Sequence, residues 1–193
     1  MNVLGIDGGM TRLGLGALNV QGANFTLITH GLIYHPRDPE MTFNEHLNTG
    51  ISRIVNDFPR FLDLVRPDII YAETIPAGRL GSNDSLVIAA VTTCKVIAAQ
   101  FGIEWRDIAA STVKKQFTGD GRATKTVVRN TVLGLYPLVA ERHALLKAEQ
   151  KEHGEKPTGL PQDVFDALAI ATVGANKHVT NSQAEEMQEL QEA

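Results

Sequence analysis

The chain has 193 residues, with 18 Lys+Arg against 22 Asp+Glu and a formal charge of −4 with histidines neutral. That length, 43% apolar and 21% charged, suits one soluble domain and excludes wholesale disorder or two large domains. No apolar run is long enough for a membrane span, no secretory leader pattern opens the chain, and the lone Cys94 can neither form an internal disulfide nor anchor a zinc cluster alone, so a cytoplasmic protein with no membrane partner is expected.

In chain order, Asn2 to Asp7 is a short apolar run that ends on a carboxylate and is broken by Gly8-Gly9, as a tight turn ends a strand. Leu13 to Val20 and Phe25 to Tyr34 read as two further strands about the Gln21-Gly22-Ala23-Asn24 turn, completing an antiparallel meander. From Phe43 the period changes: Phe43, Leu47, Ile51, Ile54, Val55, Phe58, Leu62 and Val65 fall at helical spacing and mark one apolar face, with a kink or break expected at Pro59. Asp68 to Glu73 is again a buried strand ending on a carboxylate, and Ser85 to Gln100 reads as a helix capped near its start.

Glu104 to Ala110 is a fifth strand, and Ser111 is placed to cap a short helix over Thr112 to Phe117. After the Thr118-Gly119-Asp120-Gly121 turn, Thr124 caps a helix from Lys125 to Tyr136, with Leu138 to Gln150 continuing as helix. Lys151 to Leu160, with Gly154, Pro157 and Gly159, reads as a mobile loop before the last strong helix, Gln162 to Asn176. This order predicts an α/β fold with a mixed five-stranded sheet flanked by helices, a domain over 1–177 and a polar acidic tail over 178–193, helical or disordered. Trp105 and Phe101 read as core residues, and the small-sided Ala and Val face of the Ser85–Gln100 helix reads as close packing on the sheet, with Cys94 buried in it.

The charge is unevenly spread. Between Thr112 and Arg129, Lys114, Lys115, Arg122, Lys125 and Arg129 face only Asp120, a local balance of +4, whereas the segment after Thr180 carries four glutamates and no base. Basic residues on short helices beside a Gly-rich turn suit phosphate binding, although a solvated helix face has the same composition.

Asp7 and Glu73 each end an apolar strand, where ligands gather in open α/β sheets. Asp163 and Asp166, at i and i+3, share one helix face. As a helix cap and a solvated acid they would carry no chemistry; if all four acids converge, they cannot all ionise without a cation. An all-oxygen donor set selects Mg²⁺, with Mn²⁺ as substitute, and two such ions about 4 Å apart would clamp an in-line phosphoryl displacement. The six histidines are scattered and offer no zinc motif.

Val3-Leu4-Gly5-Ile6-Asp7-Gly8-Gly9 with Gly14, then Ala72-Glu73, the Lys114 to Lys125 segment and Asp163-x-x-Asp166-Ala-Leu-Ala-Ile together resemble the RuvC family of Holliday-junction resolvases, in that family's order from about Asn2 to Asn176. The resemblance implies an RNase H-like fold, a homodimer with a seam along the Ser85–Gln100 helix, and Mg²⁺-dependent symmetrical nicking of four-way DNA junctions, a reaction of DNA recombination and repair. It also implies that Asp7, Glu73, Asp163 and Asp166 are the metal-binding acids, that Lys114 and Lys125 contact DNA, and that Lys125 lies near the scissile phosphate. Lys115, Arg122 and Arg129 extend the basic DNA-binding segment.

Where bacterial members often carry a junction-opening aromatic three residues after the strand-end glutamate, this chain has Pro76, with Arg79 or Leu80 as candidate substitutes. The long Leu138–Leu160 stretch and the tail resemble a divergent, viral-type member acting in a host cytoplasm. Two rivals share parts of the pattern. Asp7-Gly8-Gly9-Met10-Thr11 also resembles the phosphate loop of actin and sugar-kinase-like ATP-binding modules, and Asp7, Gly9, Arg12 and Gly14 match the start of a ribosomal-RNA processing nuclease.

Overall fold

The computed structural model describes residues 1–74 and 82–192, so Pro76, Arg79 and Leu80 lie outside the described residues. Five strands, β1 (Asn2–Asp7), β2 (Arg12–Gln21), β3 (Asn24–Tyr34), β4 (Ile69–Glu73) and β5 (Glu104–Ile108), form one mixed sheet in the order β3-β2-β1-β4-β5. The first three strands pair antiparallel, and β1–β4 and β4–β5 pair parallel. Around the sheet lie α1 (Phe43–Val65), α2 (Ser82–Gln100), α3 (Ala110–Thr118), α4 (Lys125–Leu135), α5 (Pro137–Glu152) and α6 (Gln162–Glu192).

Strand alternation splits the core in two. Leu4 and Ile6 of β1, Leu13 and Leu15 of β2 and Ile70 of β4 pack against Ile54, Phe58 and Leu62 of α1 and Ala90, Cys94 and Ile97 of α2. On the opposite face, Val3, Ile69 and Tyr71 meet Ala169, Ile170 and Val173 of α6, with Val113 of α3 and Val128 of α4 alongside. A third cluster joins Leu18 to Val164, Phe165 and Leu168 of α6 and to Val132, Tyr136 and Val139 of α4 and α5. Tyr136 and Thr172 hydroxyls hydrogen-bond each other at 2.7 Å inside this layer, so this buried pair is satisfied within the protein.

Several local expectations change. The first long helix runs unbroken through Pro59; the bond that proline cannot donate would go to the turn of Val55, which is 48% exposed, so water can satisfy that carbonyl. Its start is fixed by a capping box in which Thr42 and Glu45 exchange bonds. Ser111 is not a cap: α3 starts one residue earlier, behind an extended Ala109 with no side-chain cap. Thr124 does cap α4, accepting from the Val127 amide. Tyr136 ends that helix, and Pro137 at the first position of α5 starts a separate one.

Lys151–Leu160 is helical to Glu152, and its irregular remainder is pinned to α5. The Gly159 amide donates to Gln150 Oε1 at 2.8 Å and the Leu160 amide to His143 Nδ1 at 3.0 Å. The last helix extends through the tail to Glu192. Phe101, expected in the core, is 45% exposed at the end of α2, whereas Trp105 packs partly buried against the α1/α2 layer.

Candidate active site

Parity along the strands brings the first two acids together. In β1, Val3 faces α6 and Leu4 and Ile6 face the other way, so Asp7 lies on the α6 side. In β4, Ile69 and Tyr71 face α6, so Glu73 does as well. Ile6 pairs with Ala72, and the two carboxylates stand one residue further along these parallel neighbours.

The helical acids reach them because the sheet carries glycines, not side chains, beneath α6 there. Asp7 pairs with Gly14 on β2, and Gly5 with Gly16. A Cβ built on Gly14 would lie 2.0 Å from the Asp163 carbonyl oxygen, and one on Gly5 would lie 2.1 Å from the Ala167 carbonyl oxygen. Any side chain at either glycine would push α6 off the sheet, so their role is close approach.

Asp7, Glu73 and Asp166 line one cavity of about 270 Å³ together with Lys114 of α3 and Lys125 of α4. Asp163 stands beside this cavity and turns toward Arg12, at 3.9 Å. Lys125 Nζ lies 4.0 Å from Asp166. Gln162 donates from one amide nitrogen to Asp166 Oδ1 at 3.1 Å and to the Lys125 carbonyl at 3.4 Å, which ties the start of α4 to the start of α6. On the far side of Asp7 and Glu73, Asp84 of α2 lines a second cavity of about 240 Å³ with them.

The electrostatics follow from crowding. Burial and the Asp166, Asp163 and Glu73 carboxylates push the Asp7 carboxyl up to about 8, with Lys125 opposing. Burial and Asp166 also raise Glu73, against Lys114 and Lys125. Burial raises Asp166 too, offset by the Gln162 hydrogen bond and by Lys125. Among the described residues no group of three or more His, Cys, Asp and Glu side chains is drawn together tightly enough to hold a metal ion. The acids instead face a shared space. Their chemistry fits a divalent cation: the donors are carboxylate oxygens on sheet and helix, and positive charge in the cavity would offset the crowding that raises the Asp7 carboxyl.

Of the basic positions, Lys114 and Lys125 enter the acid cavity. Lys115 and Arg122 are exposed on the same α3–α4 segment. Arg129 lines a separate groove with Arg12 and Tyr34. Sequence reading did not single out Gln162, Asp84 or Tyr34 as site residues, and it used Arg12 only as part of a rival motif. Gln162 stands next to Asp163 in a helix start, a position at which a polar residue carries no distinguishing signal.

The model of the family described as crossover junction endodeoxyribonuclease RuvC matches residues 3–174. A crossover junction endodeoxyribonuclease RuvC of Gloeobacter violaceus is 26% identical over 182 residues, covering 93% of this chain and 90% of that protein. The structure of T. thermophilus RuvC in complex with a Holliday junction substrate superposes with a TM-score of 0.66 at 26% identity, over 94% of this chain and 96% of that one. A yeast mitochondrial Holliday junction resolvase, 12% identical, shares the fold with a TM-score of 0.56, over 95% of this chain and 85% of that one. With five strands in this order, acids at the ends of the first and fourth, and a family match over nearly its whole length, the chain belongs to the RuvC family of crossover junction endodeoxyribonucleases.

Proposed function

We propose that this chain is a structure-selective endodeoxyribonuclease that cleaves four-way DNA junctions by divalent-metal-dependent phosphodiester hydrolysis. The observation that carries the reading is the meeting of Asp7, Glu73 and Asp166 on one cavity with Lys114 and Lys125. Asp7, Glu73, Asp163 and Asp166 are the residues that would hold Mg²⁺, or Mn²⁺ in its place, as two ions. Ions bound there would lower the pKa of a water and stabilise the leaving 3′ oxygen of an in-line displacement.

The chain's own side chains supply the rest. The strand-borne acids are fixed by the sheet, so their oxygens need little rearrangement on binding. Gln162 holds Asp166 in one orientation through its 3.1 Å bond. Lys125 places a cation at the cavity, where it offsets charge that builds on the phosphoryl oxygens. Lys114 on the same cavity grips the backbone, and Lys115, Arg122 and Arg129 extend the basic surface over α3 and α4. Arg79 belongs to the DNA-contacting set on sequence grounds alone.

Symmetrical nicking of two strands requires two sites, and the reading includes a homodimer. Val96 on α2, 55% exposed, and Phe101 at its end, 45% exposed, give that helix an apolar outer edge suited to a second copy. No helix among the described residues is long and apolar enough to cross a membrane, and the reading places the enzyme on DNA in the cytoplasm.

Asp7→Asn is expected to abolish Mg²⁺-dependent cutting of a synthetic four-way junction while leaving junction binding intact. Lys114→Ala and Lys125→Ala are expected to weaken binding and to reduce the slope of log Kd against log salt by about one each. A panel of four-way, three-way, flap and linear DNA and structured RNA, with Mg²⁺ or chelator, tests the substrate class. Continued cutting by Asp7→Asn would overturn the metal scheme.

A further inference from the structure

A third, larger cavity lies across the start of α6 from the acids. It encloses about 710 Å³ and runs between the Arg12–Tyr34 pair, Arg129 of α4 and the Thr158–Gln162 segment. Arg12 and Tyr34 are direct cross-strand partners at the ends of β2 and β3. The Arg12 guanidinium sits over the Tyr34 ring, 5.8 Å from its centroid, and also approaches Asp163 at 3.9 Å. The opposite wall is rigid: Gly159, at φ +69°, and Leu160 are hydrogen-bonded to Gln150 and His143, and the His143 ring packs edge-on against Phe165 of α6.

The groove and the acid cavity share one wall. Gln162 lines the groove, while its amide bonds Asp166, which lines the acid cavity. A strand whose phosphate sits among the acids must continue on both sides of them. Lys114 and Lys125 serve the acid cavity itself, and this groove is a cationic path leading away from it, with two arginines against Glu155 on its walls. Arginine at a shaped groove favours phosphate oxygens, which its fork binds with two donors at once.

Building on the resolvase reading, we propose that this groove carries the sugar–phosphate backbone of the cut strand next to the scissile bond, with Arg12 and Arg129 binding its phosphates and Tyr34 positioning Arg12. Tyr34 is a positioning residue: its ring face holds the guanidinium by a cation–π contact and keeps it from folding wholly onto Asp163.

The test uses the full chain and a series of four-way junctions, each carrying one uncharged methylphosphonate within three nucleotides of the cleaved bond. Kd is read by fluorescence anisotropy in chelator, and single-turnover cutting is read with Mg²⁺. In the parent chain, one or two positions should weaken binding by about 5-fold. In Arg12→Ala or Arg129→Ala the penalty at its own position should disappear, because the neutralised phosphate no longer has a partner to lose. Tyr34→Ala should reduce the Arg12-linked penalty and Tyr34→Phe should restore it. Lys114→Ala should leave the penalties linked to Arg12 and Arg129 unchanged and alter only the one at its own phosphate.

The Arg12 side chain is 52% exposed, so its truncation leaves the core untouched. If Arg12 serves only to balance Asp163, Arg12→Ala slows cutting on every junction alike with the penalty map unchanged. That result, together with an unchanged map in Arg129→Ala, overturns the groove while the resolvase reading stands. A parent chain that shows no preference for junctions over linear duplex overturns both.

Discussion

The two faces of the sheet are built on opposite principles. On the α1/α2 face, large side chains interlock: Phe58 and Ile54 of α1 are fully buried against Leu4, Ile6 and Leu15. On the α6 face, next to the acids, the contact is backbone to backbone, with Gly5, Gly14 and Gly16 under the Asp163–Ala171 stretch of the helix. Both faces bury apolar area that stabilises the fold. Beside the acids the second also sets a distance, since a helix seated on glycines loses contact if it retreats and clashes if it advances. Mutations in the interlocked layer and at the glycine contact should therefore fail in different ways.

The largest effect on stability is expected from Phe58→Ala, which leaves a cavity in the interlocked layer and should cost about 3–5 kcal/mol of unfolding free energy. Urea denaturation measures this, and the specific activity of the folded fraction should stay near that of the parent chain. Gly14→Ala should cost activity more than stability. Its Cβ would meet the Asp163 carbonyl at 2.0 Å, so α6 must shift and take Asp163 and Asp166 with it. Misplacement by about 1 Å can cost about 100-fold in rate, and single-turnover cutting should drop by that order even where circular dichroism shows the chain folded. Equal losses of stability and activity in both variants would erase the distinction between the faces.

A smaller effect sharpens it. The Asp7 carboxyl titrates near 8 in the fold, against about 3.9 in an unfolded chain. The folded state therefore holds a proton that the unfolded state releases, and the contribution is fully present below about pH 4 and is lost as pH rises toward 8. In chelator, the melting temperature should fall over this range. Asp7→Asn, which cannot ionise, should remove most of that slope and melt several degrees above the parent chain at pH 8, with little difference near pH 4. A variant that melts below the parent at pH 8 would show that the site carries no such charge strain.

Much of this was legible in the residues. Strand alternation and the carboxylates closing β1 and β4 indicate that Asp7 and Glu73 share a face, and the i, i+3 spacing pairs Asp163 with Asp166. The Thr124 cap and the helix over Gln162 onward follow from the same local rules. Features that depend on distant partners were not legible. Ser111 has a capping side chain, yet α3 starts before it. Phe101 is as apolar as any core residue, yet it comes after the last turn of α2, where it is only partly covered. The Gly- and Pro-containing segment before α6 reads as loose until His143 and Gln150, seventeen and nine residues before their partners, take up the Leu160 and Gly159 amides.

Residue order alone determined the family and the sheet with its flanking helices and marked four acids as candidates, because period, turn chemistry and short motifs are properties of neighbours along the chain. The tertiary structure decided which acids look into one cavity. It turned Asp163 toward Arg12 and left Asp166 with Asp7 and Glu73, made Gln162 the link between two helix starts, and placed Arg12, Tyr34 and Arg129 around one groove. Those outcomes rest on how closely α6 lies against Gly5 and Gly14, a contact between segments about 150 residues apart that no local pattern encodes.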